Sequence, residues 1–140
     1  MELPHKEPIL LVDSHKISAI NECVAKFIVP EDHPVLEGHF PHVKIWPGVY
    51  LIEGMNQTAG LHALHNAENQ LGDVDVSNIV TFVTSVDKVK FRQPVFPGDN
   101  LVYTAIQTNK RKDHVFYDCV VYRDAIRVAQ AKIGLTAKTL

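Results

Sequence analysis

Residues 35–60, Val-Leu-Glu-Gly-His-Phe-Pro-His-Val-Lys-Ile-Trp-Pro-Gly-Val-Tyr-Leu-Ile-Glu-Gly-Met-Asn-Gln-Thr-Ala-Gly, decide the fold. From Pro47 onward Leu51, Ile52, Met55, Ala59, Ala63 and Ala67 recur at helical spacing, Pro47 suits a first helical position, and Asn69-Gln-Leu-Gly72 supplies a stop. One long helix is expected over about residues 47–68. Before it, a loop held by Gly38, Pro41 and Pro47 carries His39, and fourteen positions later Glu53 stands alone among the apolar residues of the helix. A loop histidine is ordinarily structural or exposed, whereas carboxylates seldom sit in apolar surroundings without partners or a function. The two together point to acid/base chemistry.

Around this helix the chain reads as strands. Ile9–Asp13, Lys16–Ile20 and Glu22–Val29 precede it, and Ile79–Thr84, Val86–Phe91, Leu101–Thr108, Val115–Tyr122 and Ile126–Leu135 follow. Gln93–Asp99 interrupts them with a Pro-Gly pair suited to a type II turn. One helix cannot cover both faces of an antiparallel sheet, so the expected fold is α+β: a curved sheet of five to six strands wrapped around the helix, as one domain over residues 1–140. Gly54 and Gly60 each cost about 1 kcal/mol against alanine inside a helix, which is reasonable where another backbone or a ligand approaches closely. An open sheet edge would invite a second copy, so a homodimer is expected.

Composition narrows the class. The chain has 140 residues, 46% of them hydrophobic, and a formal charge of -2, which gives no excess of Lys and Arg for a nucleic-acid partner. Cys23 and Cys119 lie far apart, with neither CxxC spacing nor a disulfide framework, so a reducing, cytoplasmic setting is expected. No apolar run approaches the ~20 residues that span a bilayer, and no targeting leader is read at the N-terminus.

Gly38-His-Phe-Pro, then Pro47-Gly48-Val, then Leu51-Ile-Glu-Gly-Met-Asn-Gln57 resemble the signature of the β-hydroxyacyl-acyl-carrier-protein dehydratases of the hotdog fold. His5–Asp13 and Asp87–Asp99 are similar to further segments of that family, in the same order. The resemblance implies a cofactor-independent lyase that removes water from a β-hydroxyacyl thioester on acyl carrier protein to give a trans-2-enoyl product. It implies His39 as base, Glu53 as acid and the Gly48 N–H as oxyanion donor, with the histidine and the carboxylate of one site coming from different subunits. Apolar Leu51, Ile52 and Met55 would disfavour the anion of Glu53 by desolvation. Gln57, four residues on, shares its helical face and would orient it. Lys88, Lys90 and Arg92 alternate along one strand and would form a basic patch for an acidic carrier protein. Lys110, Arg111 and Lys112 read as a solvated turn.

Three positions depart from the family pattern: His42, Trp46 and Asn56. With Phe40 and Tyr50 they are read as tunnel lining, reshaped for a polyene, aryl or polyketide chain. Glu53, where relatives that also isomerise carry aspartate, favours dehydration alone. His62, His65 and Glu68 share a helix face suited to metal ligands, but histidine is also favoured near a helix C-terminus, and no metal is expected. The rival readings are a thioesterase or hydratase acting on coenzyme A esters, and a subunit that works only with an active paralogue. Beyond the homodimer, a trimer of dimers and a heteromer with a paralogue are the assemblies left open.

Overall fold

The computed structural model describes residues 10–38, 42–71 and 78–139. In chain order these form β1 (Ser14–Ala19), β2 (Glu22–Ile28), a single-turn helix α1 (Val35–Gly38), the long helix α2 (Gly48–Leu71), β3 (Ile79–Phe91), β4 (Asn100–Arg111), β5 (His114–Arg123) and β6 (Ile126–Thr139). The six strands make one antiparallel sheet in the order β1-β2-β4-β5-β6-β3. β3 follows α2 in sequence yet lies at the far edge from β1, so the chain crosses the sheet through the helix that the sheet encloses.

Alternation along the strands explains how the helix fits. Register aligns Cys23, Ala105, Cys119 and Ala131 in one row across β2, β4, β5 and β6, all buried. Four small side chains side by side make a trough, flanked on the same face by the larger Phe27, Leu101, Tyr103, Tyr117 and Ile133. α2 occupies this concave face and is buried continuously from Gly54 to Leu64, apart from half-buried Asn56. A helix enclosed on all sides should be small or apolar all round, and Ala59, Gly60, Leu61, Ala63 and Leu64 meet that demand. This is the hotdog arrangement. Cys23 and Cys119 are free and buried, with one strand between them in the row. Two strand spacings make about 10 Å, too far for a disulfide.

Several expectations change. The segment Ile9–Asp13 is not a strand over its described residues: Leu11 and Val12 are buried, the Leu11 N–H donates to the Gln57 side chain at 2.8 Å, and the chain meets the sheet only at Asp13, whose N–H donates to the Lys26 carbonyl of β2 at 2.8 Å. Ile79–Thr84 and Val86–Phe91 are one strand, bent by irregularities at Val83/Ser85 and Asp87/Lys90. Val35–Gly38 is helical where a loop was expected. The long helix starts at Gly48, with Pro47 just outside it, and runs three residues past Glu68. The Pro-Gly turn is as read: Gly98 has φ +89° and the Asp99 N–H donates to the Phe96 carbonyl at 3.1 Å.

Candidate active site

The start of α2 is fixed by packing before any chemistry enters. The Trp46 N–H donates to the Val95 carbonyl at 2.8 Å, and the indole lies fully inside, edge-on to His33 and Tyr50 at 5.1 Å each and tilted to Phe27 at 5.9 Å. Trp46 is therefore chiefly a core residue. The Tyr50 N–H donates to the Pro47 carbonyl at 3.0 Å, which closes the first turn. At Gly48 a Cβ would come within 2.8 Å of the Phe91 ring, so only glycine lets β3 approach this closely. Ile45, Trp46, Gly48, Val49, Leu51 and Phe91 line a largely apolar cavity of about 460 Å³ at this end of the helix. The helix opens toward it with N–H groups that lack intrahelical acceptors.

Glu53 sits one turn further on and is half-buried. Its Oε1 accepts from Gln57 Nε2 at 3.1 Å and its Oε2 from Asn56 Nδ2 at 3.3 Å. Gln57, 1% exposed, is itself held by the Leu11 N–H at its Oε1. The N-terminal segment thus locks Gln57, and Gln57 holds the carboxylate. Leu51 and Met55 turn into the core, and among the described residues two amides reach the Glu53 oxygens.

His39, with Phe40 and Pro41, lies outside the described residues. The segment leading to it is anchored by buried Leu36 and by the Val35 N–H, which donates to His33 Nδ1 at 3.1 Å. His42 is exposed, and Tyr50 is half-buried in the aromatic cluster.

Lys88 and Lys90 both line a depression of about 340 Å³ on the convex face, together with Arg127, Gln130 and Lys132. Their common side does not come from simple alternation. Asp87 pairs with Lys132 and Lys90 with Gln130, so one extra residue is inserted, and Lys88 takes φ 52° within that bulge. Arg92 reaches the same face by donating from Nε and Nη2 to Gln130 Oε1 at 3.1 and 3.0 Å. Lys132 is engaged with Asp118 at 2.8 Å. The Lys110–Lys112 segment is exposed at the β4–β5 turn, as expected.

The helix histidines do not make a metal site. No group of three or more metal-ligating side chains occurs among the described residues. His62 is fully buried, with Nδ1 2.7 Å from the Tyr117 hydroxyl and Nε2 2.9 Å from the Ile20 carbonyl. A carbonyl only accepts, so Nε2 carries the proton, Nδ1 accepts from the phenol, and burial lowers the pKa of the ring.

Two residues escaped the sequence reading. Tyr103 packs so closely on Gly54 that a Cβ there would lie 2.3 Å from its ring and hydroxyl. A Cβ built at Gly60 would lie 3.1 Å from the Thr81 hydroxyl oxygen. The helix glycines had signalled a close approach, but side chains, not a backbone or ligand, make it.

A family model described as the FabA-like domain matches residues 3–132. The chain belongs to the FabA-like family. Similar FabA-like proteins include the 3-hydroxyacyl-[acyl-carrier-protein] dehydratase FabZ of Sulfurovum sp., 39% identical with 94% of this chain and 88% of that protein covered. The corresponding dehydratase of Methylobacterium nodulans is 38% identical, covering 94% and 81%. The bifunctional enzyme LpxC/FabZ of Chlorobaculum tepidum is 36% identical over 96% of this chain, which spans 28% of its length. Among solved structures, the dehydratase heterocomplex ApeI:P of Xenorhabdus doucetiae superposes with a TM-score of 0.79 at 14% identity, covering 98% of this chain and 88% of the other. A thioesterase of Pseudomonas aeruginosa gives 0.63 at 12% identity, covering 90% and 81%. At such identities the likeness concerns the fold. The FabA-like helix has no stretch long and apolar enough to cross a membrane among the described residues.

Proposed function

We propose that this FabA-like chain removes water from a 3-hydroxyacyl thioester carried on acyl carrier protein, giving the trans-2-enoyl thioester. The observation that carries this reading is the carboxyl group of Glu53, held by two amides one turn into the central helix of a fold whose similar relatives are dehydratases. Loss of water needs one group to take a proton from the carbon beside the thioester carbonyl and another to protonate the departing hydroxyl. His39 serves as the base and Glu53 as the acid, each worth roughly 10²–10⁴ in rate. Negative charge that develops on the thioester oxygen is met by the Gly48 N–H at the positive end of α2. No further group is required for the step.

The quaternary reading follows from the two sheet edges. β1 is short, irregular at Ile17/Ala19 and carries Lys16, features that discourage pairing. β3 has 13 residues and exposes Phe82, Val83 and Val86. A second copy laid along β3 would cover these side chains, and in that pair His39 of one chain serves with Glu53 of the other. Lys88, Lys90 and Arg92, on the convex face beside that edge, give an acidic carrier protein a place to dock. Trp46 and Asn56 have packing and hydrogen-bond roles that need no unusual acyl chain, so plain saturated substrates are included in the proposal.

Purified protein given a 3-hydroxyacyl carrier protein should yield enoyl product, read by its ultraviolet absorbance or by mass, without free thiol. Release of thiol would identify a thioesterase. Inertness until a paralogue is added would identify a partner-dependent subunit.

A further inference from the structure

The two amides that hold Glu53 are not equivalent. Gln57 can only donate to the acid, because its own carbonyl oxygen is taken by the buried Leu11 N–H at 2.8 Å; turning the amide over would set its NH₂ against that N–H. Asn56 is free of any such lock. Its Nδ2 donates to Glu53 Oε2 at 3.3 Å, while its Oδ1 is buried without a hydrogen-bond partner. A buried acceptor left unpaired is unusual and calls for a reason.

We propose that Asn56 is a positioning residue that pairs with Glu53 in both of its protonation states and assigns the acid proton to Oε2. This rests on the dehydratase reading, in which Glu53 gives up a proton in each turnover and regains one. As carboxylate, Glu53 accepts from Gln57 at one oxygen and from Asn56 at the other. When it carries a proton, that proton sits on Oε2, because Oε1 faces a fixed donor. A half-turn about the Asn56 Cβ–Cγ bond exchanges Nδ2 and Oδ1 within the same volume and presents an acceptor to the new O–H. Nothing is lost on the far side, since Oδ1 has no partner to give up, and one amide group is unpaired in either orientation. During reaction the proton on Oε2 passes to the substrate hydroxyl as its C–O bond breaks, water leaves with both hydrogens, and the amide turns back to donate.

Asn56→Leu keeps the volume and removes the amide, and Asn56→Gln keeps the amide on a longer arm. The expected result is a fall in kcat of about tenfold to a hundredfold in Asn56→Leu with KM for the 3-hydroxyacyl carrier protein within twofold, partly restored in Asn56→Gln. Asn56→Ala replaces the leucine variant should that chain fail to fold. Unchanged kcat, or an equal loss in the leucine and glutamine variants, overturns the proposal. A second readout does not depend on turnover: the side-chain NH₂ signal of Asn56 in ¹⁵N-labelled protein should titrate in the wild type and stop titrating in Glu53→Gln. Among the described residues, the other titratable side chains that packing brings to this half of α2 are His33 beside Tyr50, Tyr103 against Gly54, and Asp13 near Tyr103. Titration that persists in Glu53→Gln assigns the response to one of these and overturns the proposal. A wild type with no dehydratase activity but a Glu53-dependent Asn56 signal would remove the functional reading while leaving the pairing standing.

Discussion

At the residue scale, the helix around Glu53 is shaped by what its neighbours leave room for. Gly54→Ala would drive a methyl group into the Tyr103 ring, a contact that neither β4 nor the enclosed helix can relieve, and should destabilise the protein by about 1–3 kcal/mol in denaturant unfolding. Tyr103→Leu in the same chain should recover part of that loss, because the obstacle is the ring. His62 gives a prediction about acid. Its folded pKa is lowered by burial, so below the ordinary value near 6.5 the unfolded chain binds a proton that the folded state resists. Stability therefore falls as pH drops below about 6.5, and the urea midpoint should decline less between pH 7 and pH 5 in His62→Gln than in the wild type. Glu53 and its i+4 partner Gln57 were legible in the sequence as a spacing. The Asn56 contact obeys an equally visible i+3 spacing, but asparagine at that position departs from the family pattern, so its spacing alone carries no signal of a role toward Glu53.

At the element scale, local signals served well where residue type dictates backbone geometry. Pro97-Gly98 announced its turn, and the apolar period announced α2 to within a few residues at each end. The same logic failed at the β5–β6 hairpin. Asp124 and Ala125 both have positive φ, 51° and 66°, with Arg123 paired to Ile126, which is the two-residue turn that normally selects glycine at its second position. Alanine sends no such signal. Ala125→Gly should relieve the left-handed strain and raise stability by about 0.5–1 kcal/mol, measured as a higher urea midpoint with an unchanged slope. Ile9–Asp13 failed for a different reason: a run of β-branched and apolar residues fits burial beside a helix as well as burial in a sheet, and the deciding partner, the Gln57 side chain, lies 46 positions away from Leu11. The bulge at Lys88 was hidden because strict alternation and an inserted residue both leave Lys88 and Lys90 on one side.

At the scale of the whole molecule, fold class and dimer logic follow from three features of the described residues: a single long helix, a sheet too large for it to cover twice, and two edges of unequal character. The small-residue row Cys23–Ala105–Cys119–Ala131 could not be read in advance, because it exists only once four strands are in register. If the base and acid of one site come from different copies along β3, chains bearing His39→Ala and chains bearing Glu53→Gln should each be inactive yet regain activity when refolded together. Equal mixing makes about half the dimers mixed, each with one intact site, so about a quarter of wild-type activity is expected. A mixture as inactive as its components would place both groups on one chain. The most direct measurement is the rate of enoyl formation from a 3-hydroxyacyl carrier protein by the wild type and by Glu53→Gln. The carboxyl group as proton donor predicts a loss of about 10²–10⁴ with the melting temperature little changed. Equal rates in the two proteins would contradict it.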